Sequence, residues 1–210
     1  MTMITNNRPV RAPRMAHGLF LAGLFAGVLG CASPSSRLGT DPLVEYSEAR
    51  SAALEELERT ASIEDPIVRS AAERDLLRLL ERLTLRVPTD VQIRVASAAL
   101  AFRLGDRDQA RRDLDRALNE QPGHLQAAVL QCRVLCMEGD LLGAREVVRT
   151  ASLLNPREPE LHLSLAQVET LEGQYDAAES LLQRALQLGA DPLRVEFNMQ
   201  VLDERREAAR

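Results

Sequence analysis

The chain has 210 residues, and the 45% that are apolar suffice to fill one medium-sized core. Aromatic residues make up only 3%, and alternating runs of Val, Ile, Thr and Tyr are absent, which argues against strands and favours helices packed through Leu, Ala and Val. The formal net charge is −5, and it falls to −8 without residues 1–30, which carry three of the 26 basic residues against 31 acids. Such an acidic chain is a poor ligand for nucleic acid or anionic lipid.

Residues 1–30 have the organisation of a secretory signal peptide. Three arginines precede a charge-free apolar run at residues 19–30. A run of this length is too short to span a bilayer, which needs about 20 apolar residues, but it fits the apolar core of a signal. Both Met1 and Met15 can serve as the start, and a start at Met15 would remove all three arginines.

The apolar run ends in Val28, Leu29, Gly30 and Cys31. This tetrapeptide resembles the lipobox of bacterial lipoproteins. The resemblance implies that the Cys31 thiol receives a diacylglycerol, that the signal is cut before it, and that the new amino group is acylated. The non-acidic Ala32 implies transfer to the outer membrane. More than one acyl chain gives a durable anchor, at about 0.8 kcal/mol per buried CH₂. The alternatives are an ordinary secretory signal with an incidental cysteine and an uncleaved anchor.

The segment that begins at the cysteine, residues 31–41, is rich in Ser, Pro and Gly, a composition typical of a flexible tether. Three Asp-Pro pairs then follow along the chain, each an Asp cap before a Pro at the first helical position. They predict a helical pair within residues 42–90, which can be a degenerate repeat, and a C-terminal capping helix at 193–210. The Asp-Pro pairs begin at Asp41, Asp65 and Asp191.

Between these flanks the sequence repeats with a period of 34 residues, marked by Gly105, Gly139 and Gly173. We expect each glycine to end one helix as a left-handed cap, and Pro122 and Pro156 to end the next helix. A period of this length predicts a stack of identical helical pairs. The predicted units are residues 91–124, 125–158 and 159–192.

The repeated pattern resembles the tetratricopeptide repeat. The first unit contains Gly105, Ala110, Leu114, Ala117 and Pro122; the second contains Gly139, Ala144, Val148, Ala151 and Pro156; the third contains Gly173, Tyr175, Ala178, Leu182 and Ala185. The resemblance implies an all-α fold, a right-handed superhelical stack of helical hairpins with flanking helices. The family's early Trp is replaced, by Arg94 in the first unit.

In tetratricopeptide proteins the first helix of each unit lines a concave groove that binds a protein or peptide. The resemblance places nine residues there: Val95, Phe102, Arg103, Val129, Arg133, Met137, Leu163, Gln167 and Leu171. Such an apolar trough suits a partner helix or an extended peptide, with a carboxylate near Arg103 and Arg133. For Val95, Val129 and Leu163, ordinary packing is an equally good interpretation.

No pattern predicts catalysis, a cofactor or a metal site. The histidines are isolated, and the acids alternate with arginines as on a solvated helix face. Cys132 and Cys136 are four residues apart on one predicted helix. We interpret them as small packing residues rather than a redox or metal pair, because this spacing suits a disulfide poorly and a metal would need further ligands.

These features predict a scaffold without enzyme activity, lipid-anchored in the bacterial cell envelope at the outer membrane and facing the periplasm. It resembles the repeat lipoproteins that act as pilotins, in pilus or secretion assembly, or as adaptors of cell-wall enzymes. Its partners would be a protein or peptide in the groove and a membrane through the lipid, but not nucleic acid; the sequence indicates no oligomeric state. The alternative is a soluble cytoplasmic repeat adaptor with a misassigned N-terminus and an unmodified Cys31.

Overall fold

The computed structural model describes residues 41–209, which form nine α-helices and no strand. The predicted signal peptide, Cys31 and all but the last residue of the predicted tether lie outside the described residues. The helices are α1 (Pro42–Ala61), α2 (Pro66–Arg86), α3 (Val91–Arg103), α4 (Arg107–Glu120), α5 (Leu125–Glu138), α6 (Leu141–Leu154), α7 (Pro159–Leu171), α8 (Tyr175–Gln187) and α9 (Pro192–Ala208).

Each Asp-Pro pair starts a helix, as the sequence predicts. The side chains of Asp41, Asp65 and Asp191 accept hydrogen bonds from backbone amides two residues further on, at 2.8–3.0 Å. These bonds satisfy amides that have no partner inside the helix, and proline has no amide to satisfy. Helix α9 begins at Pro192, one residue before the predicted start, because the proline itself is the first helical residue.

Left-handed glycines end the first helix of each unit. Gly105, Gly139 and Gly173 have φ values of +89°, +81° and +77°, which glycine adopts without steric cost. Gly189 follows the last residues of α8 with φ +94°. It closes the third unit, which has Ala190 at the position of the prolines that follow α4 and α6.

The helices of each unit pack through small side chains. Ala110, Ala144 and Ala178 are fully buried, each in a cluster with a small residue of the preceding helix: Ala98, Cys132 and Ala166. One turn further along the second helices, Leu114, Val148 and Leu182 are also buried, and burial of each such side chain stabilises the fold by about 1.5–3 kcal/mol. The 34-residue sequence period is therefore a repeat of one packing arrangement.

The helices form a curved double layer. The odd-numbered helices contact one another in succession from α1 to α9, whereas each even-numbered helix contacts only its neighbours in the chain. The odd layer is therefore the inner, concave side. Because α1 contacts α2 and α3 just as α3 contacts α4 and α5, the N-terminal pair packs as a further repeat.

Helix α9 occupies the position of a first helix at the C-terminal end of the stack. It contacts α8 and α7, and it buries Val195 and Leu202 against them. Its other side presents Gln200 to solvent, whereas Ala166 at the equivalent position of α7 is buried. Helix α9 thereby covers the last apolar layer, as expected of a capping helix, and leaves Leu193 and Phe197 exposed.

Candidate functional site

The N-terminal half of the concave layer contains a hollow of about 730 Å³. It lies between α1, α3 and the start of α5. Its floor is apolar, and amide and imidazole side chains surround it. The lining includes Leu54, Leu57, Gln92, Val95, Ala99, Gln121, His124 and Gln126. A concave apolar floor with a few polar groups around it is the usual form of a binding site.

Asp90 fixes the wall of this hollow. Its carboxylate caps α3 by accepting the Ile93 amide at 3.1 Å, and it also binds the Tyr46 hydroxyl and the Arg50 Nε of α1 at 2.9 and 2.7 Å. Burial acts to raise the pKa of Asp90, but the bonds from Ile93, Arg50 and Tyr46 outweigh it and hold the pKa below its ordinary value. Burial and the bond to Asp90 raise the pKa of Tyr46 to about 12.

A smaller hollow of about 230 Å³ continues the concave layer between α5 and α7. Val129 and Arg133 line it together with Glu160. Another hollow, of about 480 Å³, lies in the outer layer between α4 and α6. The two concave hollows share the residue Gln126, so they form one continuous surface.

The two predicted groove arginines have different surroundings. The Nε atom of Arg103 lies 3.0 Å from the carboxylate of Glu73, a buried residue of α2. Arg133 is exposed and forms no ion pair or hydrogen bond with another described side chain. Arg133 is therefore available to a ligand carboxylate, whereas Arg103 already has one.

The remaining predicted groove residues differ in exposure. Val95 and Leu163 are buried, with 9% and 4% of their surface accessible, so they pack between helices and offer little surface to a partner. Met137 is 51% exposed and Gln167 is also exposed. Three further members are partly buried: Phe102, Val129 and Leu171.

Phe197 on α9 occupies the repeat position of Val95, Val129 and Leu163, and it is not among the predicted groove residues. It stands 34 residues after Leu163 and 68 after Val129, and it is 65% exposed. The repeat period alone is enough to identify this position, although the Asp-Pro start of α9 predicts only a capping helix. The equivalent residues Val95 and Leu163 are buried between helices, whereas α9 is the last described helix, so Phe197 leaves an exposed aromatic ring at the C-terminal end of the odd layer.

The two cysteines of α5 lie side by side. Their sulfur atoms are 4.0 Å apart, and both thiols are free. Cys132 is buried and also lies 3.9 Å from the Ser164 carbonyl of α7, whereas Cys136 is partly exposed. The hydrogen bond between the thiols, followed by burial, raises the pKa of Cys132; the same bond lowers the pKa of Cys136.

Residues 41–209 contain neither a group of three or more side chains placed to hold a metal ion nor a helix suited to a bilayer. No group of three or more His, Cys, Asp or Glu residues there is placed to hold a metal ion. Among the same residues, every helix is too short or too polar to cross a membrane.

The comparisons with known proteins agree with this architecture. Residues 135–195 match the tetratricopeptide repeat family model. The structure is similar to MamA from Desulfovibrio magneticus RS-1, at 16% identity over 79% of this chain and 89% of that chain, with a TM-score of 0.61. It is also similar to TTC0263, a thermophilic tetratricopeptide protein of Thermus thermophilus, at 24% identity over 73% and 86%, with a TM-score of 0.57.

A third similar structure is a tetratricopeptide repeat protein from Parabacteroides merdae ATCC 43184, at 13% identity over 79% of this chain and 61% of that chain, with a TM-score of 0.62. No curated protein matches the sequence. At these identities the structural likeness shows the fold. The described chain is an all-α tetratricopeptide solenoid, a class that typically serves as a protein-binding scaffold rather than as an enzyme.

Proposed function

We propose that this protein is a lipid-anchored scaffold of the bacterial cell envelope. Cys31 would hold it at the outer membrane, and the concave layer would bind a protein or peptide during assembly of a secretion, pilus or cell-wall complex. The observation that supports binding most directly is the continuous concave surface formed by the two hollows, with Arg133 exposed beside the second.

The lining of the concave surface suits an elongated partner. The hollows span α1, α3, α5 and α7, so a partner that fills both must extend along the stack. Apolar side chains of the partner would contact the floor, and its backbone groups would bind the amides of Gln92 and Gln126. A partner carboxylate would pair with the guanidinium of Arg133, which can form two parallel hydrogen bonds.

Support for the anchor comes from the sequence. Cys31 directly follows the apolar run at residues 19–30, and the resemblance to the lipobox covers the four residues that end there. A test of the anchor compares the native chain with Cys31→Ala in a bacterium with two membranes. The native chain should fractionate with the outer membrane and have the mass of a protein that starts at Cys31 and carries acyl chains.

The Cys31→Ala protein should leave the outer-membrane fraction and retain its signal. Cys136→Ser is the matched control, because it removes another thiol and should leave the attachment unchanged. A native chain found in the cytoplasm with an unmodified Cys31 would instead support the soluble adaptor.

The groove can be tested by placing a photo-crosslinking amino acid at either of two sites in the living cell. Gln126 lines both concave hollows, and Leu153 of α6 is 84% exposed in the outer layer. Crosslinking to a discrete partner should occur from position 126 and not from position 153. Arg133→Glu should abolish it, because the charge reversal repels a partner carboxylate. Equal crosslinking from both positions would contradict the groove assignment.

A further inference from the structure

We propose that Cys132 and Cys136 bind one soft metal ion of low coordination number, of the Cu(I) class, at the contact between α5 and α7. Both thiols are free and their sulfur atoms are 4.0 Å apart. Cys132 faces α7, where it lies 3.9 Å from the Ser164 carbonyl, and the partly exposed Cys136 provides access from solvent.

The repeat itself shows that packing does not require these sulfur atoms. The positions equivalent to Cys132 in the first and third units are Ala98 and Ala166, and both are buried in the same kind of cluster. The positions equivalent to Cys136 are Phe102 and Thr170. Three units thus share one packing arrangement, but only the second combines two thiols on adjacent turns of one helix.

The helix keeps the two thiols from forming a disulfide without distortion. Residues four apart on a helix have Cβ atoms about 5–6 Å apart, whereas a disulfide requires about 3.5–4.5 Å and a sulfur separation of about 2.05 Å. Closing the sulfur separation from 4.0 Å would therefore require α5 to deform. The pair would remain reduced thiols on a regular helix.

A bridging ion fits the same separation. Two metal–sulfur bonds of about 2.3 Å, the length of a zinc–thiolate bond, span at most about 4.6 Å, so sulfur atoms 4.0 Å apart lie within reach of one bridging ion. Binding of Cu(I) forms two metal–sulfur bonds and releases both thiol protons, which leaves a bis-thiolate centre with one negative charge. The exposed Arg133, next to Cys132 in the chain, adds a positive charge near the pair.

The choice of metal class follows from the number of ligands. Structural zinc takes four protein ligands, and no group of three or more His, Cys, Asp or Glu in residues 41–209 could supply them. Soft thiolate ligands select Cu(I) among the ions that accept so few donors. Calcium and magnesium require oxygen ligands, which this pair lacks.

The test is an anaerobic Cu(I) titration of the full chain against a chromophoric Cu(I) chelator, with Cys31→Ser in every sample to remove the third thiol. We expect one equivalent to bind. The test variants use residues that the other units already carry at these positions: Cys132→Ala, as in Ala98 and Ala166, and Cys136→Thr, as in Thr170. Each should weaken binding at least tenfold. Met137→Leu, which matches Leu171, is the control and should bind as tightly as the parent.

A second measurement needs no substitution in the helix. With one equivalent of Cu(I), the native chain should protect the partly exposed Cys136 from alkylation, as read by peptide mass spectrometry, whereas the buried Cys132 is shielded with or without the ion. Three results would overturn the proposal: the same affinity for Cu(I) in Cys136→Thr as in the parent, no protection of Cys136 by the ion, and failure to compete with the chelator.

Discussion

The hydroxyl of Tyr46 in α1 donates a hydrogen bond of 2.9 Å to the carboxylate of Asp90, the residue that caps α3. The same carboxylate binds Arg50 at 2.7 Å. One side chain thus starts a helix of the first sequence repeat and joins the N-terminal pair to the stack. It also positions α1 against the larger concave hollow, since Arg50 and Asp90 are both part of the lining.

Replacing Asp90 by Asn should loosen this connection while keeping the cap. Asn caps helices about as well as Asp, so the change mainly weakens the bonds from Arg50 and Tyr46. Hydrogen bonds to charged groups contribute about 1.5–3 kcal/mol, against about 1 kcal/mol for neutral ones, so we expect a loss of about 1–2 kcal/mol in the free energy of unfolding at neutral pH. Urea unfolding, monitored by circular dichroism, measures this difference in the free energy of unfolding. The same denaturation midpoint for the parent and Asp90→Asn would contradict a stabilising role of the Asp90 charge.

The stability that Asp90→Asn loses depends on pH, and the direction of this dependence follows from the pKa shift of Asp90. The native pKa of Asp90 is lowered from its ordinary value of 3.8, so the carboxylate stabilises the fold above that value, and the stabilisation is lost as the pH falls through the native pKa. The difference between the parent and Asp90→Asn should therefore be complete near neutrality and shrink below about pH 3.8. Burial raises the pKa of Asp113, which acts in the opposite sense, but both proteins contain Asp113 and its effect cancels.

The buried alanines at the contacts between the two helices of each unit should not accept a larger side chain. Ala178 of α8 is fully buried, whereas its neighbour Ala177 is exposed. Ala178→Leu should cost about 1–3 kcal/mol or more, because the added atoms force the two helices of the third unit apart. Ala177→Leu is the matched control and should change stability by less than about 0.5 kcal/mol. Similar thermal midpoints for the two variants would contradict the packing model.

The left-handed glycine between α5 and α6 can be tested with a graded series. At Gly139, φ is +81° and no atom lies within 4 Å of an added Cβ, so only the backbone conformation opposes substitution. We expect Gly139→Asn to be tolerated best, Gly139→Ala to cost about 1 kcal/mol, and the β-branched Gly139→Val to cost more. Equal stabilities across the series would show that the turn adopts another conformation in solution.

Phe197 should matter for binding and not for stability. Its ring is 65% exposed, so Phe197→Ser should leave the thermal midpoint nearly unchanged. If the partner extends along the whole odd layer from α1 to α9, the Phe197→Ser variant should reduce crosslinking from position 126. Leu153→Ser, at another exposed apolar residue, is the control and should have no effect on crosslinking. Full crosslinking by the Phe197 variant would place the partner nearer the N-terminal end.

The features that the sequence predicted correctly depend on local chemistry. An Asp before a Pro caps a helix wherever it occurs, and a glycine at the helix end adopts positive φ for reasons contained in a few residues. The repeat period then fixes which residues face each other, because all units pack alike. For this reason the sequence pattern alone assigns Ala110, Ala144 and Ala178 to the helix contacts.

The details that the sequence did not predict depend on helix rotation and on pairs far apart in the chain. The ion pair of Arg103 with Glu73 joins residues of α3 and α2, and it forms only because α2 turns that carboxylate toward α3. Arg94, at the position of the family's Trp, is buried beside Asp113, with their charged atoms 3.6 Å apart. No local pattern distinguishes these arginines from the solvated ones.

The exposed amide of Gln200 determines how the stack ends. A helix of a further copy that packed on α9 as α8 packs on α7 would press against this position, where the inner units have a buried alanine or cysteine. Burying the amide without a partner would cost on the order of 1–3 kcal/mol, in addition to the steric misfit. The amide therefore disfavours this route of end-to-end polymerisation into filaments, a hazard for any protein built from self-complementary layers.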